Sequence, residues 1–363
     1  MNKAENRAGH ANRVKVGITH GDLNGIGYET IIKILNDQRM LEAITPVVYG
    51  VSKVASYHRK VLDMNDFNFN LVKNAEAANH KRPNIINIYE QEVKVELGKS
   101  TAIAGELAYL ALEKATGDLA SGTIDVLVTA PINKKNIQSE NFHFPGHTEY
   151  LAEKFNSDDV LMLMVSNGLR IGVVTGHIPL SEVPSAVTEE LILHKLRIMN
   201  DSLKRDFAIS RPRIALLGLN PHAGDRGLLG KEEENTITPT IAKAFDEGIL
   251  AYGPYAADGF FGSSAFRTFD GILAMYHDQG LIPFKAMSFE SGVNYTAGLP
   301  VIRTSPAHGT AYEIAGKNQA SPESMRAAIF LATDIFRNRK EYEELNKDPL
   351  SVQEGDADRG NGE

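Results

Sequence analysis

The stretch Gly271-Ile272-Leu273-Ala274-Met275-Tyr276-His277-Asp278-Gln279-Gly280 decides the fold class. Its apolar half has the length and composition of a buried strand, and it stops abruptly at an imidazole, a carboxylate, an amide and a glycine. The design recurs in Arg170-Ile171-Gly172-Val173-Val174-Thr175-Gly176-His177 and in Arg213-Ile214-Ala215-Leu216-Leu217-Gly218-Leu219-Asn220-Pro221-His222. Each of the three histidines follows a buried strand, and in open α/β sheets functional groups gather beyond the carboxyl ends of the strands.

Working outward, Val160 to Val165 pairs with Ile171 to Thr175 as a hairpin through Asn167-Gly168. Ile192, Leu196, Met199 and Leu203 form the apolar stripe of a helix. Glu232 to Phe245 is expected as one helix stopped by Gly248, and the segment with Gly253, Pro254, Asp258 and Gly259 as a loop. Gly280 is expected to allow a turn towards Lys285. Upstream, Val14 to Thr19, Pro46 to Gly50 and Ile124 to Thr129 read as strands, and Ser52 to Leu62 and Thr101 to Leu119 as helices. Residues 68 to 99 read as short strands and loops. Phe144-Pro145-Gly146-His147-Thr148-Glu149 opens a helical run, with Thr148 as its cap and His147 at the helix N-terminus. Ser321-Pro322 starts the last helix. Strands and helices mostly alternate, so the class is α/β with a largely parallel sheet.

After the first strand comes His20-Gly21-Asp22-Leu23-Asn24-Gly25-Ile26-Gly27, then the helical pattern Tyr28 to Leu35. Its spacing matches neither the dinucleotide fingerprint nor the phosphate loop with its lysine. Two readings stay open: a backbone cradle for an anion, or a tight turn that needs glycine for positive φ.

The chain has 363 residues, enough for two domains. A net charge of -8 argues against nonspecific nucleic-acid or anionic-membrane binding. No apolar run approaches the roughly 20 residues of a membrane span, and the polar N-terminus has no signal-peptide core, so the expected location is the cytoplasm. Cysteine is absent, so any metal site rests on imidazole, carboxylate or water. His177, His222 and His277 are therefore either one shared divalent-metal site, tuned by Asp278 and Asp258, or three separate loop histidines. Lys285, Arg303, His147, Thr148 and Asn294 as a group favour a small acid or phosphate ester.

The motifs Thr129-Ala130-Pro131-Ile132-Asn133-Lys134, Gly146-His147-Thr148-Glu149, Asn220-Pro221-His222-Ala223-Gly224, Ala274 to Gly280 and Gly292-Val293-Asn294 with Gly298 to Ser305 resemble, in the same order, those of the 4-hydroxythreonine-4-phosphate dehydrogenase family of pyridoxal phosphate biosynthesis. The likeness runs from about residue 14 to 340. It implies two α/β/α domains similar to those of isocitrate and isopropylmalate dehydrogenases, in a homodimer with active sites at the subunit interface. The expected division is a leader at 1–13, a cofactor-side domain at 14–130 plus 296–345, a metal- and substrate-side domain at 131–295, and a tail at 346–363.

The resemblance further implies oxidation of 4-phosphohydroxy-L-threonine by NAD, or NADP, with a divalent metal such as zinc, cobalt or magnesium. The product loses carbon dioxide to give 3-amino-2-oxopropyl phosphate. By motif, His177, His222 and His277 are the implied metal ligands, and His147, Thr148, Lys285, Asn294 and Arg303 the implied substrate contacts. His308-Gly309-Thr310-Ala311, with Glu313 to Lys317, is similar to the cofactor loop of decarboxylating dehydrogenases. Asp258, Asp278 and Lys285 are the candidates for proton transfer.

Three departures touch the ligand-binding turns: Leu23-Asn24 where the family usually has Pro-Ala, Tyr28 where it has Pro, and Asp258-Gly259 where it has Asp-Thr. They leave room for a relative acting on another phosphorylated hydroxy acid such as 4-phosphoerythronate. A metal-dependent hydrolase is the competing class, and it would work without nicotinamide.

Overall fold

The computed structural model describes residues 13–157, 160–288 and 290–348. The expected leader up to residue 12 and the tail from 349 lie outside the described residues. Among the described residues twelve strands build one sheet: β1 Val14–Thr19, β2 Ile44–Gly50, β3 Asn70–Val72, β4 Asn84–Asn87, β5 Val126–Thr129, β6 Leu161–Ser166, β7 Leu169–Thr175, β8 Arg213–Leu217, β9 Leu250–Tyr255, β10 Gly271–Tyr276, β11 Val293–Ala297 and β12 Arg303–Pro306. Their order is β3-β4-β2-β1-β5-β12-β11-β6-β7-β10-β8-β9.

The first six strands in that order are mutually parallel, as are the last four. The joints β12-β11, β11-β6 and β6-β7 are antiparallel. An odd number of reversals separates the blocks, so they run in opposite directions. The sheet therefore has two C-terminal edges: β1, β5 and β12 end on one, and β7, β10 and β8 on the other. A mixed sheet of this kind confirms the α/β class.

Helices cover the parallel blocks and bury β1, β5 and β10 almost completely. Helix Ala102–Ala120 is capped by Thr101, whose hydroxyl accepts from Ala104 N, and helix Glu189–Arg205 by Thr188 in the same way. The hairpin between β6 and β7 turns at Asn167 (φ 42°) and Gly168 (φ 84°), the positive-φ pair expected of Asn-Gly.

Several local expectations are corrected. The stretch with Gly253 and Pro254 is not wholly loop: Leu250–Tyr255 is the edge strand β9, where a proline costs no ladder bond on the solvent side, and its pairing slips between Ala215 and Leu217. The expected helix before it, Glu232 to Phe245, opens as a π-turn, Glu233–Ile237, and runs on as α-helix Thr238–Asp246. Helix His277–Met287 begins directly at the end of β10, so Gly280 makes no turn. A Cβ there would lie 3.0 Å from Ile171 and 3.1 Å from Ala274, so the glycine lets the helix sit close on the sheet. Thr148 caps nothing: helix His147–Lys154 starts one residue earlier, with Gly146 as its cap residue.

Candidate functional site

A cavity of about 600 Å³ lies where the two blocks meet. It is lined by five of the expected substrate contacts, His147, Thr148, Lys285, Asn294 and Arg303, together with His177, His277, His308 and Gly309.

Arg303 opens β12 and is 3% exposed. Its guanidinium donates to Thr129 Oγ1 from Nε (3.0 Å) and Nη2 (2.7 Å), to Thr296 Oγ1 (3.4 Å) and to His147 Nδ1 (3.1 Å). These partners are neutral. Burial lowers its pKa to about 10, opposed only by the more distant Glu149 carboxylate. Because Arg303 can only donate, His147 Nδ1 must accept, which fixes the imidazole proton on Nε2. That Nε2 is buried and has no hydrogen-bond partner among the described residues. Burial, then the nearby Arg303 and Lys134 charges, hold the His147 pKa well below its usual value. A buried cation and an unmet N–H facing a cavity make a site for an anionic oxygen. Asn294 Oδ1 is buried without a partner beside them.

At the other end of the cavity, His177 follows β7 and His277 opens its helix. Their rings face each other at 5.8 Å between centroids, tilted by 40°. Glu149 Oε1 lies 3.9 Å from His177 Nδ1, and Asp278 Oδ1 2.7 Å from His277 Nδ1. The latter bond leaves His277 Nε2 outward as a donor atom for a metal. Burial, then Lys134, lowers the His177 pKa, which favours the neutral, ligating form.

His222 is presented differently. It begins a run of left-handed residues, His222 (φ 53°), Ala223 (51°), Gly224 (79°), Asp225 (42°) and Arg226 (54°). Each non-glycine residue there costs about 1–2 kcal/mol, so the surroundings must hold the turn. Glu233, 3% exposed, does so by accepting from Asn220 N (2.8 Å) and Asn220 Nδ2 (3.0 Å). His222 lines neither this cavity nor the adjoining groove that Asp278 lines with His177 and His277. Among the described residues no group of three His, Cys, Asp or Glu side chains is placed to hold a metal. One chain thus brings together two imidazoles that fit a divalent ion and leaves the third apart. Asp258 is exposed and also outside the cavity.

The glycine-rich turn after β1 is not an anion cradle. Four of its amides are spent internally: Asp22 N on Pro131 O (2.9 Å), Gly25 N on Asp22 O (3.1 Å), Ile26 N on Thr310 O (3.1 Å) and Asn24 N on Asp22 Oδ1 (2.9 Å). The His308–Ala311 turn packs directly on it. His308 Nε2 is buried without a partner, and Ala311 is left-handed at φ 45°.

Sequence reasoning passed over Thr129, Lys134 and Glu149. The Thr129 hydroxyl, in a run quoted only for its motif, anchors a guanidinium 174 residues away. Glu149 is the only carboxylate lining the cavity among the described residues, and its place in a helix first turn was the available signal.

The pyridoxal phosphate biosynthetic protein PdxA family matches residues 42–332. A 4-hydroxythreonine-4-phosphate dehydrogenase of Bacteroides thetaiotaomicron is 54% identical over 343 residues, 94% of either chain. The crystal structure of the Klebsiella pneumoniae 4-hydroxythreonine-4-phosphate dehydrogenase superposes with a TM-score of 0.75 at 34% identity, covering 89% of this chain and 98% of that one. A terephthalate 1,2-cis-dihydrodiol dehydrogenase from Burkholderia xenovorans LB400 reaches a TM-score of 0.59 at 25% identity, covering 89% and 98%.

Proposed function

This chain belongs to the 4-hydroxythreonine-4-phosphate dehydrogenase (PdxA) family, and from that premise we propose that it oxidises 4-phosphohydroxy-L-threonine with NAD and a divalent metal. The ketone formed is a β-keto acid, which loses carbon dioxide to give 3-amino-2-oxopropyl phosphate. The observation that carries the reading is the buried Arg303 with only neutral partners beside the unmet Nε2–H of His147.

Arg303, His147 and Thr148 bind an anionic group of the substrate, and Asn294 and Lys285 orient the rest across the cavity. A metal such as zinc, cobalt or magnesium held by His177, His277 and His222 would lower the pKa of the substrate hydroxyl. Asp278 fixes the His277 ring for that task. One proton leaves the hydroxyl and one arrives at the carbon vacated by carbon dioxide, so a single relay can serve both steps. Of Asp258, Asp278 and Lys285, the lysine is the one that lines the cavity, and we assign it the relay. The His308–Ala311 turn receives the nicotinamide nucleotide.

A homodimer completes the site, with His222 coming from the second copy. Each histidine-bearing segment carries exposed large apolar side chains: Leu180 (68%), Leu228 (76%) and Ile282 (65%). Apolar surface on three adjacent segments supports a protein–protein face. The two strand blocks correspond to the two proposed domains, residues 14–130 with 296–345 and residues 131–295, exchanging at β11. No helix among the described residues is long and apolar enough to cross a membrane, and the cytoplasm is the location that goes with this reading.

The test is absorbance of reduced nicotinamide when protein, NAD, divalent metal and 4-phosphohydroxy-L-threonine are mixed. Turnover is expected with that substrate. Turnover only with 4-phosphoerythronate would reassign the substrate, and product without nucleotide would make the protein a hydrolase.

A further inference from the structure

Asp22 is 1% exposed, and its carboxylate ties together three separate segments. Oδ1 accepts from Asn24 N (2.9 Å) within the turn after β1. Oδ2 accepts from Asn136 Nδ2 (2.8 Å), beyond β5, and from the phenol of Tyr312 (2.7 Å), beyond β12. Tyr312 in turn accepts from Asn133 Nδ2 (3.1 Å). Burial and then Asp22 push the Tyr312 pKa up to about 12, so the phenol remains a donor to the carboxylate throughout the neutral range.

Asn24, fully buried, extends the tie to a fourth segment. Its Oδ1 accepts from Glu96 N (2.8 Å), its Nδ2 donates to Lys99 O (2.9 Å) and Thr101 Oγ1 (3.0 Å), and its carbonyl accepts from Gly98 N (2.9 Å). Gly98 and Gly25 are then pressed against the nucleotide turn: a Cβ would stand 2.9 Å from Tyr312 O at the first and 2.7 Å from Thr310 O at the second. Leu23-Asn24 is one of the positions where this sequence departs from its family's usual pair. Here the departure places an amide that makes side-chain bonds to a neighbouring segment.

The turn being held contains Ala311 at φ 45°, a conformation that alanine does not keep without external restraint. Tyr312, the next residue, supplies that restraint through its phenol. We propose that Asp22, Asn24 and Tyr312 form a latch that sets the His308–Ala311 turn in its nucleotide-binding shape before the nucleotide arrives. They are positioning residues: they act through the turn, and ordering it in advance removes a cost that binding would otherwise bear. The inference rests on the assignment of that turn to the nucleotide.

Tyr312→Phe tests it, since the ring stays and only the shared hydroxyl goes. Two readouts are needed: hydrogen exchange of residues 308–316 in the ligand-free protein, and NAD affinity by calorimetry, with steady-state constants alongside. The latch predicts faster exchange in that segment, a Kd for NAD weaker by about tenfold, and substrate KM and kcat changed by less than about twofold. Unchanged exchange together with unchanged Kd would overturn it. An equal loss in kcat and in both affinities would overturn it too, since that marks a general structural role. If Tyr312→Phe does not fold, Asp22→Asn is measured in the same way. If the wild-type protein binds no nicotinamide nucleotide, the proposed function fails, while the exchange comparison still decides whether the latch orders the turn.

Discussion

Beyond β1, β5 and β12 the chain knits its turns to one another: the Asp22 carboxylate and the Asn24 side chain bind several segments of one chain, and the unmet nitrogens of His147 and His308 line the cavity. Beyond β7, β10 and β8 the polar side chains lie open to solvent instead. There, two histidines meet, the third stands on a strained turn outside the cavity, and large apolar side chains on the same segments are exposed. The difference is what the proposed homodimer would produce: one edge knit within a single chain, and one completed by a second copy.

The largest effect should come from breaking the open edge. His277→Ala removes one of the two imidazoles that meet, and turnover should fall by roughly a thousandfold or more while circular dichroism stays native. Retained activity in a reduced-nicotinamide assay would remove the metal assignment. Arg303 lines the same cavity from its buried wall. Arg303→Lys keeps the charge but loses the fork that spans Thr129 and His147, so substrate KM should rise by on the order of thirtyfold, with the KM for NAD little changed.

The closed edge should respond through stability. His20 and His58 are buried there on either face of Tyr28, at 5.0 and 5.1 Å between ring centroids. Burial lowers their pKa values to about 3 and about 4. Below the ordinary histidine range the unfolded chain binds protons that the folded chain refuses, so stability is full above about pH 6.5 and is lost as pH falls towards those values. Between pH 7 and pH 5 each histidine should cost about 2 kcal/mol. Denaturant titrations across that range should show the loss, and His20→Phe, which keeps the stacked ring, should remove about half of it. An unchanged slope in that variant would mean that His20 is not the group responsible.

Much of this contrast was legible in the sequence, and the illegible parts share a cause. The strand at Gly271–Tyr276 and the histidine after it were readable because an uninterrupted apolar run has one meaning at that length. β9 was hidden by Gly253 and Pro254, which an edge strand tolerates and a pattern does not. The helix start at His277 carries no capping side chain, so nothing local announced it. The cavity-lining residues proposed as substrate contacts could be named by motif, but the hydrogen bond from Tyr312 to Asp22 spans 290 residues and no spacing encodes it. Nor does spacing say that His222 stays outside the cavity its two companions line, on a left-handed turn braced on Glu233.

The central claim is that the open edge is completed by a second copy, and mixing two inactive variants tests it most directly. His277→Ala and His222→Ala chains are unfolded together, refolded as a mixture, and assayed for reduction of NAD. With ligands drawn from both chains, about half of the dimers are mixed and each of those has one intact site, so activity should return to about a quarter of wild type. If the mixture stays as inactive as its parents, the site is not shared between copies and the account of this edge is wrong.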